Sequence, residues 1–280
     1  MISGETGNTL ALAVITGASS GIGRAFASIF AKQGCSLFLI DRNFKTTIET
    51  QNALTKEGAH SITFCEGDLA HESFLSSIPE KIRGIGLPVH YLINNAGIAT
   101  QGDFLSNAWK KELASIHVNV LAPTLLTKLL LPELIKAQGS ILFVSSTAAF
   151  LPVPGLCVYG ATKSFLLSLS ETLRIELKAL AVSVTVLLPG PTQTSFYKNN
   201  GMNSLSSKRF PTAEEVAIFG YRSLKHKKSV AIYGAKNTFL FSVLRLFPSK
   251  FLSWLLEKFS SFGKEKRKNF LSLTNSLDVL

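Results

Sequence analysis

Three polar side chains have types and spacings that suit the transfer of a proton. Tyr159 and Lys163 are four residues apart, so a helix that contains both presents them on one face. A free tyrosine has a pKa of about 10, and an ammonium group about 4 Å away would supply the roughly 4 kcal/mol that brings this pKa near neutrality. Ser146 lies thirteen residues before Tyr159 and can hydrogen-bond a substrate oxygen. The pattern predicts a general acid/base at Tyr159, assisted by Lys163 and Ser146.

A glycine-rich segment lies near the start of the chain. Gly17, Gly21 and Gly23 follow an apolar run at 10–16 and open a helical pattern of apolar residues. Glycines at a strand-to-helix turn let the backbone approach a pyrophosphate, and the helix N terminus supplies free N–H groups. The spacing predicts a dinucleotide site, and the alternative is a tight turn without a ligand. The predicted site includes the intervening residues Ser19, Ser20 and Ile22.

Further polar residues follow the next apolar runs. Asp41 comes 18 residues after Gly23, where a dinucleotide-binding fold places an acid on the adenosine ribose. Arg42 would instead pair with a 2′-phosphate, or be a solvated side chain. We therefore predict NAD(H) or NADP(H) as the cofactor, with a slight preference for NAD(H). Asp68 follows the third run, and the Asn-Asn-Ala-Gly segment at 94–97 follows the fourth.

The elements that would position these residues are short apolar runs that alternate with helical patterns. Near-continuous apolar strands are typical of a parallel sheet covered by helices on both faces. Ligands of such sheets lie at the carboxyl ends of the strands, which is where the polar residues fall. We predict an α/β fold, a Rossmann-like doubly wound parallel sheet of seven strands in one domain over residues 1–235. The runs are 10–16, 35–40, 61–66, 90–93, 140–145, 182–188 and 229–233.

Taken together, the motifs resemble those of the short-chain dehydrogenase/reductase family. Residues 16–23 match its T-G-x-x-x-G-x-G cofactor motif, 94–97 match its N-N-A-G motif, and the serine, tyrosine and lysine described above match its catalytic set. The resemblance covers about residues 10–235. It implies an NAD(P)-dependent oxidoreductase that interconverts a small-molecule ketone and a secondary alcohol by hydride transfer. Homodimers and homotetramers are frequent in the family.

The resemblance also assigns roles that spacing alone does not single out. Asn119 would complete the catalytic group by holding a water that links Lys163 to solvent. Thr194, which follows a Pro-Gly turn, would contact the nicotinamide carboxamide, and the pair at 68–69 would lie against the adenine. The cofactor-binding residues implied in this way are Asp68, Leu69, Asn95, Ala96, Gly97, Pro189, Gly190, Thr192 and Thr194, beside Tyr159 and Lys163.

Two apolar segments near the catalytic set favour a hydrophobic substrate, such as a lipid-like, 3-oxoacyl or steroid-like ketone. One segment lies between Ser146 and Tyr159, and the other follows the Pro-Gly turn and resembles the family's substrate lid. The alternative is that these side chains pack onto the core. The predicted substrate-contacting residues are Phe150, Val153, Leu156, Phe196, Tyr197 and Phe210, beside Ser146.

A basic extension at residues 236–280 continues past the part of the chain that resembles the family. Residues 221–280 hold 12 lysines and arginines against 3 acidic residues, so they carry +9 of the net charge of +11. Within 239–268, an apolar face with phenylalanine and tryptophan is flanked by lysines, as in a helix that lies on a membrane surface. Packing over the substrate pocket or against a second subunit is the alternative. No apolar run is long enough for a spanning helix, and we expect no nucleic-acid partner.

The N terminus and the cysteines favour a cytoplasmic protein, with or without membrane association. Residues 1–9 have no basic n-region. The 3 cysteines form no C-x-x-C pair, which indicates reduced thiols and no metal site. Two other functions compete with the oxidoreductase. The pair of Tyr159 and Lys163 argues against a non-catalytic dinucleotide-binding or membrane-associated sensor, and the glycine spacing argues against a sugar-nucleotide epimerase.

Overall fold

The apolar runs form one parallel sheet. The computed structural model describes residues 10–42, 47–150, 152–200 and 209–244. Its seven strands have the order β3-β2-β1-β4-β5-β6-β7, and all neighbouring strands are parallel. The predicted Rossmann-like sheet is therefore confirmed. The strands are β1 (Leu12–Thr16), β2 (Ser36–Asp41), β3 (Ile62–Glu66), β4 (Val89–Asn94), β5 (Ser140–Val144), β6 (Ser183–Leu188) and β7 (Val230–Ile232).

Helices connect the strands and cover both faces of the sheet. A π-helical turn, His117–Leu121, joins two of them into one long stretch, and short 3-10 turns follow β5 and the sixth helix. The helices are α1 (Gly21–Lys32), α2 (Thr47–Lys56), α3 (Glu72–Arg83), α4 (Trp109–Ile116), α5 (Ala122–Lys136), α6 (Cys157–Glu176), α7 (Phe196–Asn199), α8 (Ala213–Lys225) and α9 (Ala235–Leu244).

Alternate residues of β1 point into two separate cores. Leu12 and Val14 lie in a core that includes side chains of α3, α5 and α6. Ala13 and Ile15 lie in a second core, formed with α1 and α8. Because successive side chains of a strand point to opposite faces, a strand buried on both sides reads as an unbroken apolar run. This arrangement leaves the strand ends as the place where polar side chains collect.

One helical stretch in the described part of the chain, Trp109–Lys136, is long and apolar enough to cross a membrane by length and composition alone. Of its most apolar window, 44% is buried inside the fold. Leu126, Leu130 and Leu134 of this stretch are buried in the core under the sheet. Packing against the sheet therefore accounts for its apolar character.

Helix α9 begins the segment that follows the predicted domain boundary at residue 235. Its Phe241 is buried and packs against Phe150, with ring centres 4.4 Å apart. The start of the extension thus contacts the loop after β5. The remainder of the extension, 245–280, lies outside the described residues, so the interfacial helix and the domain boundary stay predictions.

Candidate active site

The turn between β1 and α1 requires glycine. Gly17 and Gly21 have φ angles of +66° and +55°, which residues with a Cβ rarely adopt. A Cβ on Gly23 would lie 2.1 Å from the carbonyl oxygen of Gly17, so no side chain fits there. Ser20 precedes α1 and its side chain makes no capping hydrogen bond. The N–H groups at the helix start therefore remain available to an anion.

The carboxylate of Asp41, at the end of β2, holds this turn in place. It accepts hydrogen bonds from the backbone N–H of Ser19 at 2.9 Å and of Arg42 at 2.7 Å. Each carboxylate oxygen can accept a further hydrogen bond, for example from a ribose hydroxyl. The exposed Arg42 lies beside it on the same cleft.

A second set of hydrogen bonds joins the turn to the end of β4. The hydroxyl of Thr16 accepts from the backbone N–H groups of Asn95 and Ala96, both at 3.0 Å. The side-chain amide of Asn95 in turn donates to the carbonyl oxygen of Thr16 at 2.9 Å. Thr16 was not among the predicted site residues, although it begins the glycine motif. It fixes the two strand ends against each other.

The predicted catalytic side chains come together at the ends of β5 and α6. Both Tyr159 and Lys163 lie in the first two turns of α6, and the Lys163 Nζ is 5.7 Å from the centre of the Tyr159 ring. Lys163 is 3% exposed and donates a hydrogen bond to the carbonyl oxygen of Val144 at 2.9 Å. Ser146 is hydrogen-bonded to the phenol of Tyr159. A proton donor, a cation and a second hydroxyl therefore share one buried corner.

Burial controls the protonation of this corner. It raises the pKa of Tyr159 well above its ordinary value, and the hydrogen bond with Ser146 offsets this only in part. Burial also lowers the pKa of Lys163 to about 8. The expectation that Lys163 alone brings the phenol near neutrality is therefore not met by this geometry. Desolvation of the phenol is the largest effect on its pKa, and the Lys163 Nζ donates its hydrogen bond to the Val144 carbonyl oxygen.

Asn119 lies fully buried in the π-helical turn. Its Oδ1 accepts from the backbone N–H of Ile98 at 2.9 Å, and its Nδ2 donates to Thr162 Oγ1 at 3.0 Å and to the Ile98 carbonyl oxygen at 2.8 Å. A Cβ on Gly97 would lie 3.2 Å from Lys163 Nζ and 3.4 Å from Asn119 Oδ1. The Oδ1 keeps one acceptor position, near the same Gly97 position as Lys163 Nζ, and the water expected there stays a prediction.

These groups line one cleft with a volume of about 280 Å³. Every predicted cofactor-binding residue except Gly23 lines it, and so do Ser146, Phe196 and Tyr197. Gly23 and Asn119 lie behind the wall and support it. The cleft thus extends from the glycine turn and Asp41 to the catalytic side chains.

Four predicted substrate residues do not line this cleft: Phe150, Val153, Leu156 and Phe210. Phe150 instead packs on Phe241 of α9, and Val153 is exposed. The orientation of these side chains depends on α9 and on the conformation of the loops, and a sequence pattern predicts neither. These four residues lie outside the wall of this cleft, and their contact with a substrate stays a prediction.

Sequence reasoning also missed residues of the cleft wall, above all Asn200. Ile98, Val118, Ser195 and Asn199 line it as well. Asn200 lies in a polar stretch that has no pattern to separate it from an ordinary surface loop, and its role depends on a contact with a residue about a hundred positions earlier.

The low pKa of Lys163 gives a stability prediction. In the unfolded chain this lysine keeps its proton up to its ordinary pKa of about 10.4, whereas the folded protein releases it near 8. Because the unfolded state then binds more protons, the free energy of unfolding gains a rising contribution as the pH increases from 8 to 10. We expect urea unfolding to show that the free energy of unfolding rises more between pH 8 and 10 in the parent than in Lys163→Met. Equal pH slopes for the two proteins would contradict the lowered pKa.

Comparison with protein families agrees with this arrangement. The family model described as short chain dehydrogenase matches residues 11–204, which is more than half of the chain. The chain belongs to the short-chain dehydrogenase/reductase family. The oxidoreductases of this family share the fold described above, and the glycine turn and the catalytic corner of this short-chain dehydrogenase/reductase both lie within the matched range.

The matches with individual relatives cover different shares of the sequence of this short-chain dehydrogenase/reductase. "Dehydrogenase/reductase SDR family member 7B" of Xenopus tropicalis is 28% identical over 276 residues, or 92% of this chain and 87% of the relative. Human "17-beta-hydroxysteroid dehydrogenase type 3" is 31% identical over 207 residues, and the match spans 72% of this chain but only 64% of the human protein. A short-chain dehydrogenase from Sphingobium yanoikuyae, solved in complex with NADPH, superposes with a TM-score of 0.76 at 28% identity, covering 85% of this chain and 94% of that one.

Proposed function

We propose that the protein interconverts a ketone and a secondary alcohol, using NAD(H) or NADP(H). The observation that carries this proposal is that Ser146, Tyr159 and Lys163 meet in the same cleft as the glycine turn. A binding module has no need for a buried phenol next to a buried ammonium group. The alternative, a non-catalytic dinucleotide-binding sensor, is therefore less well supported.

The residues of the cleft fit a dinucleotide. The turn has positive φ angles and no room for a side chain at Gly23, so its backbone N–H groups are accessible to a pyrophosphate. Asp41 offers acceptors for ribose hydroxyls, and Thr194, whose methyl group would be 3.1 Å from a Cβ on Gly21, lies over the turn. When bound, the nicotinamide supplies or accepts the hydride.

The protein's own residues would handle the proton. Because burial keeps the phenol of Tyr159 protonated, Tyr159 is ready to donate to a carbonyl oxygen as that oxygen gains charge. The Ser146 hydroxyl hydrogen-bonds the same oxygen, and Lys163 stabilises the phenolate that remains. Oxidation needs the phenolate at the start, which requires further positive charge beside it.

A hydrophobic substrate is part of the proposal. The ring of Phe196 lies 5.9 Å from that of Tyr159 and 5.7 Å from that of Tyr197, so aromatic surface borders the reacting position. The human relative is named for a hydroxysteroid substrate. We propose a lipid-like ketone, of the steroid or 3-oxoacyl kind, as the substrate class.

The test of this function follows the absorbance of reduced nicotinamide against a panel of apolar and polar ketones. We expect turnover with both cofactors offered separately, and a higher kcat/KM for apolar ketones. A protein that binds dinucleotide tightly but transfers no hydride to any ketone, and takes none from the matching alcohols, would be the sensor instead.

The preference for NAD(H) depends on the negative charge of Asp41. We expect a higher kcat/KM with NADH than with NADPH, because the carboxylate repels a 2′-phosphate. Asp41→Asn can still accept a hydrogen bond from the Ser19 N–H. It should raise the ratio of kcat/KM with NADPH to kcat/KM with NADH about tenfold, or by about 1.4 kcal/mol. Arg42→Gln is the matched test of the neighbouring charge. A parent that prefers NADPH, and loses this preference in Arg42→Gln, would reverse the assignment.

Membrane contact through 239–268 is a further part of the proposal. It is supported by the +9 charge of 221–280 and by the aromatic residues of the extension. Deleting 245–280 leaves α9 and its contact with Phe150 in place. We expect the deletion to abolish co-sedimentation with anionic vesicles while ketone reduction persists. Equal sedimentation of the shortened protein would exclude this segment as the membrane contact.

We also propose that the protein is a homodimer or homotetramer. Leu121 at the end of the π-helical turn and Phe165 on α6 are 52% and 40% exposed. Both lie on the helices that carry Asn119 and Tyr159. A second subunit would cover these apolar side chains.

A further inference from the structure

Asn200 joins two walls of the cleft that are distant in the sequence. Its Oδ1 accepts a hydrogen bond from the backbone N–H of Ala99 at 2.8 Å. Its Nδ2 donates to the carbonyl oxygen of Phe196 at 2.7 Å. Ala99 belongs to the loop after β4, and Phe196 is the first residue of α7. One side chain therefore holds α7 against the loop after β4.

Asn200 also holds Phe196, because its Nδ2 and its backbone N–H both donate to the Phe196 carbonyl oxygen, at 2.7 Å and 3.1 Å. Helix α7 has 4 residues, too few to be stable without tertiary contacts. Phe196 is bonded at both backbone groups: its N–H donates to Thr194 Oγ1 at 3.3 Å, and its carbonyl accepts from Asn200. Its ring then lies 5.9 Å from the ring of Tyr159, whose hydroxyl is the proposed proton donor.

We infer that Asn200 is a positioning residue that sets the size of the ketone admitted beside Tyr159. It does so by holding Phe196 and the loop after β4 at a fixed separation. This inference rests on the proposed function. Only an amide fits the bridge well, because one end must accept from an N–H and the other must donate to a carbonyl. An ionised carboxylate keeps the first bond and loses the second.

The bridge itself is tested by amide hydrogen exchange, which requires no turnover. In the full chain, Asn200→Ala removes the acceptor of the Ala99 N–H, and we expect this amide to exchange about tenfold faster or more. The neighbouring Ile98 N–H is bonded to Asn119 Oδ1 and should keep its rate, which makes it an internal control. Asn199→Ala is the matched variant, and it should leave the Ala99 rate unchanged. An unchanged Ala99 rate in Asn200→Ala would overturn the bridge.

The selectivity is tested with one small methyl ketone and one bulky aryl ketone. For Asn200→Ala we expect the ratio of kcat/KM for the bulky ketone over the small one to rise about tenfold. The change should lie mainly in KM, since Tyr159 and Ser146 keep their positions. An Asn200→Ala enzyme with the parent's ratio would overturn the inference, and a parent that reduces no ketone of the whole panel would overturn the proposed function instead.

Asn200→Asp distinguishes positioning from general damage. When protonated, the carboxyl can again accept from Ala99 and donate to Phe196. We therefore expect parent-like selectivity at low pH and a shift towards the selectivity of Asn200→Ala above the pKa of the new carboxyl, where only the bond from Ala99 remains. A merely misfolded site would show no such reversal, so selectivity independent of pH in Asn200→Asp would also contradict the inference.

Discussion

Replacing Tyr159 with phenylalanine is expected to lower kcat for ketone reduction by about 10²- to 10⁴-fold, the usual contribution of a positioned general acid. The substitution keeps the ring that packs 5.9 Å from Phe196 and removes only the hydroxyl. The carbonyl oxygen then has the Ser146 hydroxyl but no proton donor. Steady-state kinetics would show the loss in kcat with little change in KM, because the apolar contacts of the substrate persist.

Tyr233→Phe is the matched control. Tyr233 also packs edge-on against a phenylalanine, Phe219, with ring centres 5.4 Å apart, but it does not line the cleft. We expect this variant to keep the parent's kcat. If Tyr159→Phe turned over a good substrate as fast as the parent, the assignment of the proton donor would be wrong.

The second large effect is expected at Gly23. An alanine there would place its Cβ 2.1 Å from the Gly17 carbonyl oxygen and 2.5 Å from the Asn95 side-chain amide. Neither neighbour can yield, since one is backbone and the other donates a hydrogen bond to the carbonyl oxygen of Thr16 at the end of β1. The turn must therefore open. Overpacking of this kind costs about 1–3 kcal/mol, which corresponds to a loss of up to about 100-fold in dinucleotide affinity, measured by calorimetric titration.

Gly84→Ala provides the comparison for Gly23→Ala. Gly84 ends α3 with an ordinary negative φ, and the nearest atom to an added Cβ is 3.4 Å away. We expect no change in dinucleotide affinity there. An affinity within about twofold of the parent in Gly23→Ala would show that the turn does not hold the pyrophosphate.

The arrangement of Tyr159 and Lys163 could be predicted because it depends on local geometry. Four residues along a helix bring two side chains onto one face whatever the rest of the protein does. The sheet could be predicted for a similar reason, since strands buried on both faces leave a clear apolar pattern. The polar residues at the ends of β1, β2 and β4 then had to meet at one edge.

Other features depend on contacts between distant segments. Phe150 is not part of the cleft wall and packs on Phe241, which lies ninety-one positions later. The pKa of Lys163 depends on its burial among residues that are distant in the sequence, not on its spacing from Tyr159. The Asn200 bridge likewise forms between backbone and side chain groups that have no common pattern in the sequence.

The strand order also has a consequence for how the chain folds during synthesis. Strands β1, β2 and β3 can pair once residue 66 has emerged from the ribosome, and β4 then adds to the other side of β1. The outer edge of β4 stays unpaired until β5, which begins at Ser140. Unpaired edges of this kind template wrong pairings. The nascent chain therefore exposes the unpaired edge of β4 until β5 has emerged. We expect chaperones to bind the chain in that interval.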